Sequence, residues 1–140
     1  MKNILIVAAI IIAAIFVIAC VIAFVVRRRR RKINPDLFTA RWQELQSKCR
    51  TRTTWPDAIL EADLLLEEAL KRRGFKGKTT GERLVAAQKV LTSNDQVWFG
   101  HKYRTKIVGE DVRKLKKQDV ILALSGFRQA LRDLGALRSE

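Results

Sequence analysis

ILIVAAIIIAAIFVIACVIAFVV, residues 4–26, is a run of 23 residues without a charge, Pro, Gly or Asn. As a helix at about 1.5 Å per residue it reaches about 34 Å, enough to cross roughly 30 Å of hydrocarbon with some tilt. A cleaved secretory signal has a shorter apolar region, about 7–15 residues, and then a small-residue cleavage site. Here the run is longer and stops against Arg27, Arg28, Arg29, Arg30, Arg31 and Lys32. Six consecutive cations cross a bilayer only at prohibitive cost. They read as a stop-transfer signal and, by the positive-inside rule, keep the rest of the chain in the cytoplasm. The opposing charge is only Lys2 and the N-terminal amine. The expectation is a single-pass protein of the cell (inner) membrane, N-terminus outside and C-terminal domain cytoplasmic. Its parts are a short tail at 1–3, a transmembrane helix at 4–26, a polybasic juxtamembrane linker at 27–34 and an all-helical domain at 35–140.

Val17-Ile18-Ala19-Cys20 is similar to a bacterial lipobox, whose cysteine is lipidated after cleavage. The residues after Cys20 are apolar and then cationic, where a mature lipoprotein is polar, so the anchor reading is preferred. The cationic run has a second expected role besides topology: it attracts anionic lipid headgroups, at roughly 1 kcal/mol per basic side chain near the surface.

Beyond the leader about 105 residues remain, enough for one compact domain with one core. Seven of the 28 basic residues flank the leader, which leaves 21 basic against 14 acidic residues and a domain charge of about +7. That balance favours anionic partners without choosing between lipid and nucleic acid. Cys20 lies in the leader and Cys49 on an expected domain helix, so they do not pair within the chain. One histidine and no metal-ligand spacing argue against a structural zinc, and no cofactor motif is present.

Within the domain the apolar spacing is helical throughout. Asn34-Pro35 offers an N-cap and a proline at the first helical position, ahead of Phe38, Trp42, Leu45 and Cys49. Thr54 is the expected cap of a second helix, whose broad face of Ala58, Ile59, Ala62, Leu65, Leu66, Ala69 and Leu70 makes it central; Gly74 ends it. Thr79 and Glu82 have capping-box spacing ahead of Leu84, Ala87 and Leu91. A helix opened by Ser93-Asn94-Asp95 carries Val97, Trp98, His101, Arg104, Ile107 and Val108 and ends at Gly109. A basic connector with Val112 and Leu115 leads to the last helix, with Val120, Leu124, Phe127, Leu131 and Leu134 on one stripe. No segment alternates with period two. The fold class is all-α, a bundle of about five helices behind the anchor.

His101 and Arg104 are three apart and share a helix face with Val97 and Val108, which sets two polar side chains on an apolar stripe. Such groups need partners; Asp63, Glu67 and Glu68 on the central helix are the candidates. For both residues the plainer reading is a satisfied structural pair, the sharper one a binding notch. Trp42, Trp55 and Trp98 read as core, and Lys114, Lys116 and Lys117 as a solvated face.

From Trp42 to Leu137 the domain resembles HEPN-type (higher eukaryotes and prokaryotes nucleotide-binding) helical bundles, in particular small membrane-anchored versions found in bacteria. The likeness rests on Trp55-Pro-Asp-Ala-Ile-Leu-Glu-Ala-Asp63, Leu65-Leu-Glu-Glu-Ala-Leu70, Gly77-Lys-Thr-Thr-Gly-Glu-Arg-Leu84, Trp98 with His101-Lys-Tyr-Arg104, and Phe127-Arg-Gln-Ala-Leu-Arg-Asp-Leu-Gly135. The resemblance implies a pairing tendency, hence a homodimer. It also implies a ribonuclease motif in which an Arg and a polar residue are followed, after three more residues, by a His. Arg104 matches and Thr105 takes the polar position, but Gly109 stands where the His belongs and has no side chain to move a proton. The expected function is therefore a non-catalytic scaffold or interaction module at the membrane face, with a homodimer or another protein as partner. Nucleic-acid or nucleotide binding ranks second and residual ribonuclease activity last.

Overall fold

The computed structural model describes the backbone of residues 1–30, 32–109 and 114–138; Arg31, Val112 and the side chains of Val26–Arg30 lie outside the described residues. The described chain is helical, with no strand, and forms two units, Met1–Lys32 and Ile33–Glu140.

The first unit is one helix, α1 (Lys2–Arg30). Its apolar part, Lys2–Val25, is long and apolar enough to cross a membrane. Helix was expected to stop at Val26, with a linker beginning at Arg27; instead α1 runs on through Arg30. The physical reason is that arginine is a good helix former and the first breaking signal is Asn34-Pro35.

The second unit contains α2 (Pro35–Ser47), α3 (Trp55–Arg72), α4 (Thr80–Ala87), α5 (Asn94–Gly109) and α6 (Lys117–Asp133). Asn34 caps α2 as the sequence implies: its Oδ1 accepts from the Asp36 and Leu37 amides at 3.1 and 3.5 Å. Phe38, Trp42 and Leu45 are the buried face of α2. Cys49 falls beyond this helix, in a short 3-10 turn (Lys48–Arg50). Its thiol is half-buried, and that burial pushes its pKa up.

Thr54 precedes α3 but does not cap it. Its hydroxyl donates backward, to the carbonyls of Lys48 and Thr51, and so closes the corner between α2 and α3. The Trp55 indole N–H donates to the Cys49 carbonyl at 2.9 Å and pins the same corner. Gly74 stops α3 with φ +83°, a left-handed conformation that suits a residue without Cβ. At α4, Thr79 accepts from the Glu82 amide at 3.2 Å, while the Glu82 carboxylate reaches the Lys78 amide at 2.6 Å rather than the cap's own.

α3 is the central helix, with Ala58, Ile59, Ala62, Leu65, Leu66, Ala69 and Leu70 buried. It packs against α2, α4, α5 and α6, and α5 forms a tight antiparallel hairpin with α6. The hairpin closes on two glycines. A Cβ at Gly126 would lie 2.5 Å from the backbone of Gln96, and one at Gly100 would lie 2.9 Å from the Phe127 ring. Leu115, from the connector, is buried in the same core as Val120, Phe127, Leu131 and Leu134.

Candidate functional site

Asp63 lies in the middle of α3, on the buried face that also carries Ile59, Ala62, Leu66 and Leu70. A carboxylate placed there by helical spacing is left 1% exposed and must be satisfied from within the protein. α5 crosses α3 at this level and supplies the partners. The carboxylate Oδ1 accepts from His101 Nδ1–H at 2.9 Å, which fixes the imidazole tautomer and ring orientation. The other oxygen, Oδ2, faces Arg104 Nε at 3.4 Å. Arg104 Nε does not meet hydrogen-bonding geometry, so this is a contact between charges. Of the three acids that the sequence offers, the structure selects Asp63. Glu67 pairs with Lys71 at 2.6 Å, and Glu68 with Arg41 and Arg72.

His101 is 18% exposed and Arg104 33%. The pair therefore reaches from a buried anchor to the surface. The imidazole lies edge-on to the Trp98 ring, with centroids 6.0 Å apart. Nε2 looks toward the first turn of α4, where a Cβ on Gly81 would sit 3.6 Å from it. Trp98 is half-buried and walls the notch; Trp55 is half-buried too, and Trp42 alone is a fully buried tryptophan. Val108, expected on the same stripe, is 61% exposed because α5 extends past the edge of the bundle.

Gly109 is the last residue of α5, and a Cβ there would meet nothing within 4 Å. The position is open surface. Thr105 turns its hydroxyl back onto the His101 carbonyl at 3.0 Å. Elsewhere on α5, Phe99 and Tyr103 stack at 5.6 Å. Burial, with Asp119 nearby, raises the Tyr103 pKa. Among the described residues no three His, Cys, Asp or Glu side chains converge into a metal-ligand set.

A second feature lies away from this notch. α2 and α3 border an open groove of about 240 Å³, lined by Arg41, Glu44, Leu45, Glu61, Leu64 and Leu65. Leu64, from α3, is 51% exposed there. Glu61 is tied to Lys48 and Arg41 to Glu68, so the rim of the groove is charged and largely paired. The expected solvated lysines Lys114, Lys116 and Lys117 are exposed.

No protein-family model matches the chain, and no curated protein or solved structure matches it.

Proposed function

We propose that the protein is a non-catalytic interaction module held at the cytoplasmic face of the inner membrane by α1, with its N-terminus outside. The domain is read as HEPN-like, bacterial and degenerate in its ribonuclease motif. It pairs with a second copy or receives another protein, and Arg27 to Lys32 engage anionic lipid headgroups. The observation that carries the reading is how Asp63, His101 and Arg104 are used. A general base needs a free nitrogen beside the hydroxyl it activates, and an electrostatic group needs to face the phosphate. Here the Arg104 charge is opposed by the buried Asp63 carboxylate that also holds His101, and Gly109, where the motif has its His, offers no side chain. The cluster has the form of a structural tie between α3 and α5. The α2–α3 groove, with exposed Leu64, supplies a surface suited to a protein partner.

The test pairs an assembly measurement with an activity measurement on the full chain in detergent. Chemical crosslinking and light scattering are expected to give a dimer or a captured protein partner, and labelled RNA is expected to stay intact. Metal-independent cleavage that Arg104→Ala abolishes would overturn the proposal.

Nucleic-acid or nucleotide binding without cleavage is the second reading. The domain charge of about +7 and the partial exposure of Arg104 favour it. Phosphate contacts make such binding fall steeply with salt. No binding at low salt removes this reading.

A further inference from the structure

The chain enters the domain at one end of the bundle, and several elements meet there. Ile33 packs on the core and Asn34 caps α2, so the entry point is fixed within the domain. Asp36, in the first turn of α2, pairs with Arg138 beyond α6 at 2.7 Å. Arg72, in the last turn of α3, lies over the Phe38 ring at 5.8 Å. Arg73 Nε–H donates to the Leu134 carbonyl at 2.5 Å and joins the ends of α3 and α6. The N-terminus of α2 and the C-termini of α3 and α6 therefore share one face of the domain with the point of attachment.

That face is cationic in a particular way. Among the described residues its acids are each engaged by a base or an amide: Asp36 by Arg138, Glu67 by Lys71, Glu68 by Arg41 and Arg72, and Glu82 by the Lys78 amide. Arg73, Lys76 and Lys78 are exposed on the segment leaving α3 with no such carboxylate opposite them in these pairs. Leu37, 46% exposed in the first turn of α2, adds an apolar side chain to the same end. The opposite end carries its own basic group, Lys114, Lys116 and Lys117, which Arg52 joins to the α2–α3 corner by donating to the Leu115 carbonyl at 3.2 Å. Between the two ends lies the length of α2, 13 residues and so about 20 Å.

We infer that the attachment end, through Arg73, Lys76 and Lys78 with Leu37, is a second lipid-contacting surface that docks the folded domain on an anionic bilayer. Two physical constraints lead there. Arg30 and Pro35 are five Cα steps apart, so the covalent chain between them spans at most about 19 Å. This end of the domain therefore cannot leave the vicinity of the helix that precedes it. An anionic surface attracts basic side chains mainly within about a Debye length, near 8 Å at physiological salt; the tether lets the attachment end come within that distance, and the far end, about 20 Å away along α2, lies outside it when this end is docked. The inference rests on the proposed anchor but not on the proposed orientation, dimer or partner.

The test uses the full chain in lipid nanodiscs, whose two faces are identical. Discs of phosphatidylcholine alone are compared with discs containing one-third phosphatidylglycerol. Lysine acylation is followed by mass spectrometry, and retention of the chain in the disc is scored first. Acylation of Lys76 and Lys78 is expected to slow by about threefold or more in the anionic discs and to recover in 0.5 M salt, while Lys114, Lys116 and Lys117 keep their rates. In a triple variant, Arg73→Glu with Lys76→Glu and Lys78→Glu, the domain's tryptophan fluorescence reports folding, and acylation of Lys71 is expected to become independent of lipid charge. Equal rates for Lys76 and Lys78 in the two discs, or slowing at both ends of the domain alike, overturn the docking surface alone. A chain that is not retained overturns the anchor as well.

Discussion

Asp63 shows how a single residue is committed by its position. Its backbone belongs to the most buried face of the central helix, and its carboxylate holds two side chains of another helix. Removing one partner of a buried charged cluster costs more than the cluster contributes, because the others stay behind unpaired. Arg104 is one-third exposed, so water screens part of its loss and lowers the cost. Asp63→Ala is expected to destabilise the domain by about 2–3 kcal/mol. The measurement is urea unfolding of the full chain in detergent, followed by the three tryptophans, all of which lie outside α1. A loss below about 1 kcal/mol would show that the cluster is not a tie.

Glu67 and Glu68 support a pH prediction. The Lys71 hydrogen bond holds Glu67 below the ordinary carboxylate value of 4.5. Burial alone would raise Glu68, but Arg41 and Arg72 outweigh it and the net direction is down. A carboxylate depressed in the folded state binds fewer protons there than in the unfolded chain. Its stabilisation is present at neutral pH and is lost as pH falls from about 4.5 through the folded values. The thermal midpoint should drop across that window. Glu68→Gln should lower the midpoint at pH 7 and make the acid drop shallower. A variant with the wild-type acid slope would count against the pairing with Arg41 and Arg72.

Among the elements, the α5–α6 hairpin depends on close approach. The 2.5 Å between a Cβ on Gly126 and the Gln96 backbone cannot be relieved by a side-chain rotation, so the helices must part. Gly126→Ala is expected to cost about 2 kcal/mol or more, against a change within about 0.5 kcal/mol for Gly109→Ala, which points into open space. Equal melting curves for the two variants would refute this account of the hairpin. Periodicity made the helices legible: Phe38, Trp42 and Leu45, or Val120, Phe127, Leu131 and Leu134, are buried at the steps their spacing sets. Gly74 and Gly135 mark their stops with positive φ. What spacing does not encode is which neighbour a face meets. Thr54 was legible as a cap because it precedes Pro56, yet its hydroxyl serves the preceding turn. The close contacts at Gly100 and Gly126 depend on a partner helix that no local pattern names. The notch was half legible. His101 and Arg104 stood out as polar residues on an apolar stripe, but three acids competed for them. The distinguishing signal was present: Glu67 and Glu68 each have a cation four residues on, at Lys71 and Arg72, whereas Asp63 has none on its own helix.

At the level of the whole molecule, two units of contrary character share one chain. The first is apolar and exposed from Ile4 to Val25, the second has an ordinary core and a basic surface. An apolar helix of this length left in water would drive aggregation, and in a bilayer it is satisfied. Carbonate washing at high pH, which strips peripheral proteins, is therefore expected to leave the full chain in the membrane pellet. A chain lacking residues 1–26 should be released. Recovery of the full chain in the wash would remove α1 as an anchor.

The way α2 is fastened has a mechanical consequence. This helix lies at the edge of the bundle, held mainly to α3 by Phe38, Trp42 and Leu45, and it is also where the leader joins the fold. Any tension on the leader enters the fold at Ile33 and this outermost helix, so the contacts of α2 with α3 and the Asp36–Arg138 pair bear load first. Pulled hard enough, the molecule would shed that helix as a unit and bare the α3 flank it covers, while the hairpin and the Asp63 cluster stayed intact.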